Sequence, residues 1–197
     1  GVVKINSDNH ITDFVEKPTE FVSDLAIIGI YYFNDGENLM KELQFLIDNN
    51  IKDKGEYQLT NALENMKQKG KIFSIGTVDE WLDCGNKDAT VYTSQRVLEH
   101  NKNTSMVNEN VDLINSEIIE PCYIANGITI KNSKIGPHVS IDSGSIIEDS
   151  EISNSIIQSK STIKNAKLKN SMVGNHTFFD GHKVDQEISI GDFCEIR

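Results

Sequence analysis

Cysteine is scarce in this chain. There are three in 197 residues, the widely spaced Cys84, Cys122 and Cys194. An odd number with no CxxC pair argues against a disulfide framework. The five histidines do not stand at zinc-finger spacing from them, so free thiols in a reducing cytoplasm are expected. Positive charge is also short, with 19 Lys and Arg against 30 Asp and Glu for a net charge of −11. A chain this acidic lacks the cationic footprint that holds a phosphate backbone, which excludes nucleic acid as the expected partner. No apolar run approaches the roughly 18–20 residues that span a bilayer, so no membrane association is expected. No basic stretch followed by an apolar run opens the chain, so no signal peptide is read. No initiator Met opens it either: Gly1-Val2-Val3-Lys4-Ile5 reads as a strand already under way, and the expectation is a fragment of a longer protein. What is present, 38% hydrophobic and 25% charged residues, is the composition of an ordinary globular protein.

Periodicity divides the chain into 1–103 and 104–197. In the first part, strand-like and helix-like segments alternate. Gly1–Ile5 and Ile11–Val15 are short strands joined by the turn chemistry of Asn6-Ser7-Asp8-Asn9. Ala26–Phe33 is a continuous apolar run, the pattern of a strand buried on both faces, and Ile72–Val78 reads as a fourth strand. Amphipathic spacing predicts helices over Glu37–Asn49, Tyr57–Lys69 and Ala89–His100. Alternating strands and helices imply an α/β sheet, and four strands are few for a complete one.

Beyond Asn101 a short repeat takes over. Large apolar residues recur at steps of five or six: Ile118, Ile124, Ile130, Ile135, Ile141, Ile147, Ile152, Ile157, Ile163, Leu168, Val173 and Phe179. Two positions before most of them stands a small or β-branched residue, from Cys122 and Ile128 through Ser133, Val139, Ser145, Ser150, Ser155, Ser161, Ala166 and Ser171 to Thr177. This double register predicts an all-β hexapeptide solenoid, with the large residue pointing inward and the small one near a corner. Twelve steps would make about four coils, with a partial coil or cap over 180–197. The pattern resembles the left-handed parallel β-helix, and the five-residue steps depart from its strict hexad.

Two short motifs stand at strand ends, where open α/β sheets bind ligands. Pro18 ends pairing after Ile11–Val15 and presents Glu16 and Lys17. A carboxylate can accept from hydroxyls and an ammonium can meet a phosphate, although an isolated Glu-Lys is more often a solvated pair. Trp81-Leu82-Asp83-Cys84-Gly85 follows Ile72–Val78 and carries the one Trp of the chain. Its Asp is either a Mg²⁺ ligand or a turn residue capping the next helix.

Taken together, Gly1-Val2-Val3, Phe14-Val15-Glu16-Lys17-Pro18, Ala26-Ile27-Ile28-Gly29-Ile30-Tyr31, Gly55-Glu56-Tyr57-Gln58-Leu59-Thr60-Asn61-Ala62 and Trp81-Leu82-Asp83-Cys84-Gly85 resemble the sugar-1-phosphate nucleotidyltransferases (nucleoside-diphosphate-sugar pyrophosphorylases). The wording is most similar to the glucose-1-phosphate thymidylyltransferase branch, and uridylyl- and guanylyltransferases share much of it. The resemblance implies a Rossmann-like catalytic domain of which 1–103 would be the C-terminal half, followed by a left-handed β-helix. It implies that the Gly1 amide and Glu16 meet the sugar hydroxyls and that Lys17 holds the sugar phosphate. Ile27, on the strand leading to Gly29, would place its backbone against the sugar, with Gly29 also substrate-binding; Asp83 would be a Mg²⁺ ligand, and Trp81 would pack nearby. Lys17 and Asp83 would be the catalytic residues. Glu56 reads as structural support, and Asn61 stands where the family usually has Asp. The family's glycine-rich Gly-x-Gly-Thr-Arg type loop, its catalytic Lys and its first metal Asp have no counterpart in these residues. The implied reaction joins a sugar 1-phosphate, such as glucose 1-phosphate, to a nucleoside triphosphate, such as dTTP, releasing pyrophosphate with Mg²⁺ as cofactor. This chain alone is expected to be inactive.

Two other functions fit a β-helix. One is acyl transfer from acyl-CoA, which needs a general base, and His138, His176 and His182 are candidates. His138 falls in a turn, where a solvated corner is expected. The other is assembly, in which flat solenoid faces hold subunits in a homo-oligomer.

Overall fold

The computed structural model describes all 197 residues, Gly1 to Arg197. They form two compact units, Gly1–Trp81 and Leu82–Arg197, each described by itself.

The first unit is organised by an antiparallel pair, β1 (Val2–Ile5) and β2 (Ile11–Val15). The turn between them closes on one side chain: Asn6 Oδ1 accepts the N–H groups of Asp8 and His10 at 2.9 and 3.0 Å. Asn9 takes the left-handed conformation, φ +61°, which an Asn tolerates. Single bridges flank the pair on both sides, Val2 with Ala26 and His10 with Ser74.

Those bridges are all that the two expected outer strands amount to. Ala26–Phe33 pairs only at Ala26, and Ile30 and Tyr32 are 76% and 92% exposed where burial on both faces was expected. Gly29, at φ +82°, turns this run out of extended conformation three residues after its one bridge. Ile72–Val78 likewise meets β2 only around Phe73 and Ser74. Apolarity identified segments lying beside the sheet; a ladder partner along their length is what they lack.

The helices agree with the periodicity. They are α1 (Gly36–Asp48), α2 (Leu59–Gln68) and α3 (Lys87–His100). Asp35 caps α1, accepting the Asn38 N–H at 3.1 Å. Lys71 binds its other oxygen at 2.6 Å, and this contact, with the cap, lowers the Asp35 pKa. Glu42 on α1 is 4% exposed and takes Lys69, the C-cap residue just past α2, at 2.6 and 2.8 Å on its two oxygens.

The second unit is α3 and a parallel β-solenoid. One face stacks Val111–Ile114, Ile128–Lys131, Ile146–Glu148, Thr162–Lys164, Phe178–Asp180 and Glu195–Ile196. The second stacks Glu117–Ile118, Lys134–Ile135, Glu151–Ser153, Lys167–Lys169 and Asp185–Gln186. The third stacks Met106–Val107, Cys122–Ile124, Val139–Ile141, Ser155–Ile157, Met172–Val173 and Ser189–Ile190. The sheets of six, five and six strands make five complete turns and a two-strand remainder, more than the four coils expected. Beyond the twelve steps from Ile118 to Phe179, two strands come before, where Val107 and Leu113 stand in register with Ile124 and Ile130, and three come after, Asp185–Gln186, Ser189–Ile190 and Glu195–Ile196. At the far end Gln186 follows Leu168 and interrupts the apolar pattern.

Both registers of the repeat are buried. Ile124, Ile130, Ile135, Ile141, Ile147, Ile157 and Ile163 are fully covered, and Ser145, Ser161 and Ser171 are as well. The serines form columns of their own. Ser133 N–H donates to Ser116 Oγ at 3.1 Å, Ser150 N–H to Ser133 Oγ at 3.0 Å, and Ala166 N–H to Ser150 Oγ at 3.0 Å. Each hydroxyl caps the corner amide of the next turn, a donor that would otherwise be buried without a partner. The corners themselves need left-handed residues, and Asn115, Asn132, Asp149 and Asn165 supply them at φ +48° to +50°. Outward charge alternates up the second face through Glu117, Lys134, Glu151, Lys167 and Asp185, so parallel stacking places no like charges on neighbouring turns.

Ser161 Oγ donates to Gly174 O at 2.7 Å and accepts from Thr177 N–H at 3.1 Å. Ser161→Ala strands both groups and is expected to cost about 1–3 kcal/mol. Ser189→Ala, at an exposed position, is expected to stay within about 0.5 kcal/mol. Urea denaturation of the two variants measures the difference.

Candidate functional site

In the first unit, β1, β2, the bridge segment and α2 bring four residues together. Glu16 follows β2 directly, and its side chain is 17% exposed. Thr60, buried in the first turn of α2, donates its hydroxyl to Glu16 Oε2 at 3.3 Å. The Gly1 nitrogen lies 3.7 Å from Glu16 Oε1, and the Gly1 carbonyl accepts the Ile27 N–H at 2.9 Å. A Cβ built on Gly1 would come within 2.9 Å of Glu16 Oε2 and 3.1 Å of the Ile27 side chain. Any larger residue there would fill the space in front of the carboxylate. Gly1, Glu16 and Ile27 are thus gathered at one spot, with one carboxylate, one hydroxyl and adjoining backbone, a set suited to reading hydroxyl groups.

Three other site residues expected from the sequence, Lys17, Gly29 and Trp81, belong to this unit. Lys17, at φ +42°, carries an exposed ammonium 3.4 Å from Glu56, and its carbonyl accepts from Lys54 at 3.2 Å. Glu56 therefore holds Lys17, and it also accepts from Gln58 at 3.1 Å. Gly29 has open space where a Cβ would be, so its left-handed φ alone demands glycine. Trp81 ends the unit and is 56% exposed.

Thr60 and Tyr31 lie within the sequence motifs, which assign them no role. Tyr31 follows Gly29 by two residues, and burial first and the Glu16 charge second push its phenol above the usual tyrosine range. Nothing in the local pattern around Thr60 distinguishes it from any helix-start threonine. Only the fold shows it facing Glu16.

Asp83 belongs to the second unit, in an exposed turn ahead of α3. Its Oδ1 accepts the Gly85 N–H at 3.0 Å, and its carbonyl accepts the Thr93 hydroxyl at 2.7 Å. Asn86, and not Asp83, caps α3, accepting the Ala89 N–H at 2.9 Å. A carboxylate oxygen has the hardness Mg²⁺ prefers. Among His, Cys, Asp and Glu, no group of three or more stands together to complete such a site. The donor chemistry of Asp83 fits Mg²⁺, and these residues do not bring three such donors together.

The histidines separate. His138 stands at a corner, as expected, in the left-handed conformation at φ +61°, but it is no solvated corner: its side chain is 16% exposed, with Nε2 2.6 Å from Glu99 Oε1 on α3. That bond, with Lys102, holds the Glu99 carboxyl below the usual range. Periodicity along the solenoid says nothing about a helix lying over one of its corners. His176 stacks on Phe193 at 5.0 Å, and His182 is largely exposed. Cys84, Cys122 and Cys194 are free, and burial raises the Cys122 thiol pKa. No helix is long and apolar enough to cross a membrane.

The nucleotidyl transferase family model matches residues 1–100, and the chain belongs to that family. It is 27% identical to a glucose-1-phosphate thymidylyltransferase of Streptomyces griseus, with 89% of this chain and 53% of the relative aligned. It is 26% identical to the bifunctional protein GlmU of Limosilactobacillus reuteri, over 100% of this chain and 47% of the relative. A glucose-1-phosphate adenylyltransferase of Fervidobacterium nodosum is also 26% identical, over 100% and 49%. The chain thus spans about half the length of the curated relatives it matches.

Because the Glu16 charge is the smaller of the two causes acting on Tyr31, Glu16→Gln is expected to bring the Tyr31 titration only partway back. In the unaltered chain the raised folded pKa removes stability as pH climbs through the tyrosine range towards that value. Carbon NMR of the tyrosine Cζ follows both. An unchanged Tyr31 titration in Glu16→Gln would count against the charge contribution.

Proposed function

We propose that these residues form the sugar-phosphate side of a sugar-1-phosphate nucleotidyltransferase, with glucose 1-phosphate and dTTP as the preferred pair. The observation that carries the reading is the Gly1, Glu16, Ile27 and Thr60 cluster, a carboxylate held by a hydroxyl beside a glycine that leaves room for a ligand. Family membership supports the reaction class. Relatives named as thymidylyl- and adenylyltransferases leave the base a proposal, with UTP and GTP as alternatives.

In this reading Glu16, steered by Thr60, accepts from sugar hydroxyls. The Gly1 and Ile27 backbone lines the sugar, and Lys17 leaves Glu56 to meet the sugar phosphate as a point charge. Gly29 shapes the loop leading to Tyr31, and Trp81 packs near the substrate. Asp83 offers one oxygen to Mg²⁺, which when bound neutralises phosphate charge in transfers of this kind. The sugar-phosphate oxygen displaces pyrophosphate from the α-phosphorus, and the protein's share is positioning and electrostatics. A glycine-rich loop cradles nucleotide phosphates through its backbone N–H groups. These 197 residues hold no such motif, so the proposed activity needs a polypeptide that also carries one. Acyl transfer has less behind it: the His138 side chain is 16% exposed with Nε2 bonded to Glu99, and His176 is stacked on Phe193. We further propose that the solenoid assembles copies of the protein through its flat faces and that the setting is cytoplasmic.

Two measurements test these proposals. Pyrophosphate release by the complete protein should require glucose 1-phosphate and a nucleoside triphosphate, with dTTP fastest, while the 197 residues alone should give none. Glu16→Ala should lower kcat/KM by about 10- to 100-fold, the loss of a charge-assisted hydrogen bond. Release that is independent of sugar phosphate, or untouched by Glu16→Ala, would count against the site. Light scattering should show an oligomer; a strict monomer at high concentration would count against assembly.

A further inference from the structure

The Asp83 turn is folded onto α3. Thr93 donates to the Asp83 carbonyl at 2.7 Å, and Thr90 donates to the Cys84 and Asn86 carbonyls at 3.2 and 2.8 Å. Wherever the first two turns of α3 go, this turn goes with them. The position of α3 is set in turn by the solenoid, through three polar ties along its length. Lys87, its first residue, donates to the Asn170 carbonyl at 3.0 Å and pairs with Glu187. Ser94 bonds Ser140 at 3.1 Å, and Glu99 bonds His138 at 2.6 Å.

These ties carry more than adhesion. Only Val91 and Leu98 of α3 are buried, and a contact through so few apolar residues tolerates sliding and rotation. Hydrogen bonds are directional and fix both. The tie nearest Asp83 is partly enclosed: the Lys87 side chain is 20% exposed, between the Asn170 corner carbonyl and the half-exposed Glu187, and it also pairs with its neighbour Asp88 at 2.6 Å. The solenoid is rigid because every turn is bonded to its neighbours, which makes it a firm base for a loop otherwise exposed.

We propose that the solenoid is the mount for the Asp83 turn, and that Lys87 is a positioning residue acting through α3 on the placement of the Asp83 carboxylate. The inference rests on the nucleotidyltransferase reading for what Asp83 does. It needs only the ties above for how Asp83 is held.

The test separates the two. Hydrogen exchange of this chain, with no substrate or metal present, is followed in Lys87→Met, which keeps the stem and removes the charge, and in Lys87→Arg. Lys87→Met is expected to speed exchange of the amides over 83–90 by about tenfold, leaving the solenoid amides and the thermal midpoint unchanged. Lys87→Arg should restore the slow exchange. In the complete protein, Lys87→Met should then lower kcat with the KM for sugar phosphate unchanged. Unaltered exchange over 83–90, or faster exchange spread equally over the solenoid, would overturn the mount. Local loosening with kcat intact would overturn the positioning role. A complete unaltered protein that transfers no nucleotidyl group would overturn the functional reading instead, and the exchange result would still decide the mount.

Discussion

The second unit depends on one constraint: each turn of the solenoid must lie in parallel register on the one before. The pairings that place Ile130 beside Ile147 and Ile147 beside Ile163 leave no freedom to shift. A slip of one residue would turn the isoleucines outward and the charges inward. The buried serines add to this, because each hydroxyl must meet an amide of the next turn. A single turn buries nothing by itself, so stability belongs to the stack and not to any one repeat. From this rigidity follows the fixed height of α3, and from α3 the fixed place of the Asp83 turn.

The solenoid was legible in the sequence because its burial is periodic. All twelve large positions lie in or against the core, and the eleven small ones from Cys122 to Thr177 are buried. The two opening strands, whose Val107 and Leu113 keep the same spacing, are only partly covered, with Leu113 47% exposed. The first unit was legible in its helices and its hairpin, where spacing and turn chemistry decide the outcome locally. Its outer strands were not, because a run such as Ala26–Phe33 shows apolarity and hides whether an edge is present to pair with it. The same division holds at the site. Glu16 and Gly1 could be selected from motifs, but Thr60 and the Glu99–His138 bond join positions 44 and 39 residues apart. No local pattern reports such distances.

Each unit orders its own polar groups. In the first, strand ends and the start of α2 gather Gly1, Glu16, Ile27 and Thr60. In the second, α3 holds the Asp83 turn. Each is preorganised by its own hydrogen bonds, which matters for transfer chemistry in which the protein contributes position and charge. Free energy is committed to that order before any substrate arrives: Thr60 is already on Glu16, and Thr93 is already on Asp83.

The most direct test of the sugar-phosphate site is an amide-resolved NMR titration of this chain, first with glucose 1-phosphate and then with acetyl-CoA. The account predicts that glucose 1-phosphate, at high concentration, shifts the amides around Val2, Glu16, Ile27 and Thr60, and that acetyl-CoA leaves His138, His176 and His182 undisturbed. Shifts at those histidines with acetyl-CoA, together with silence around Glu16 and Thr60, would contradict it and move the function into the solenoid.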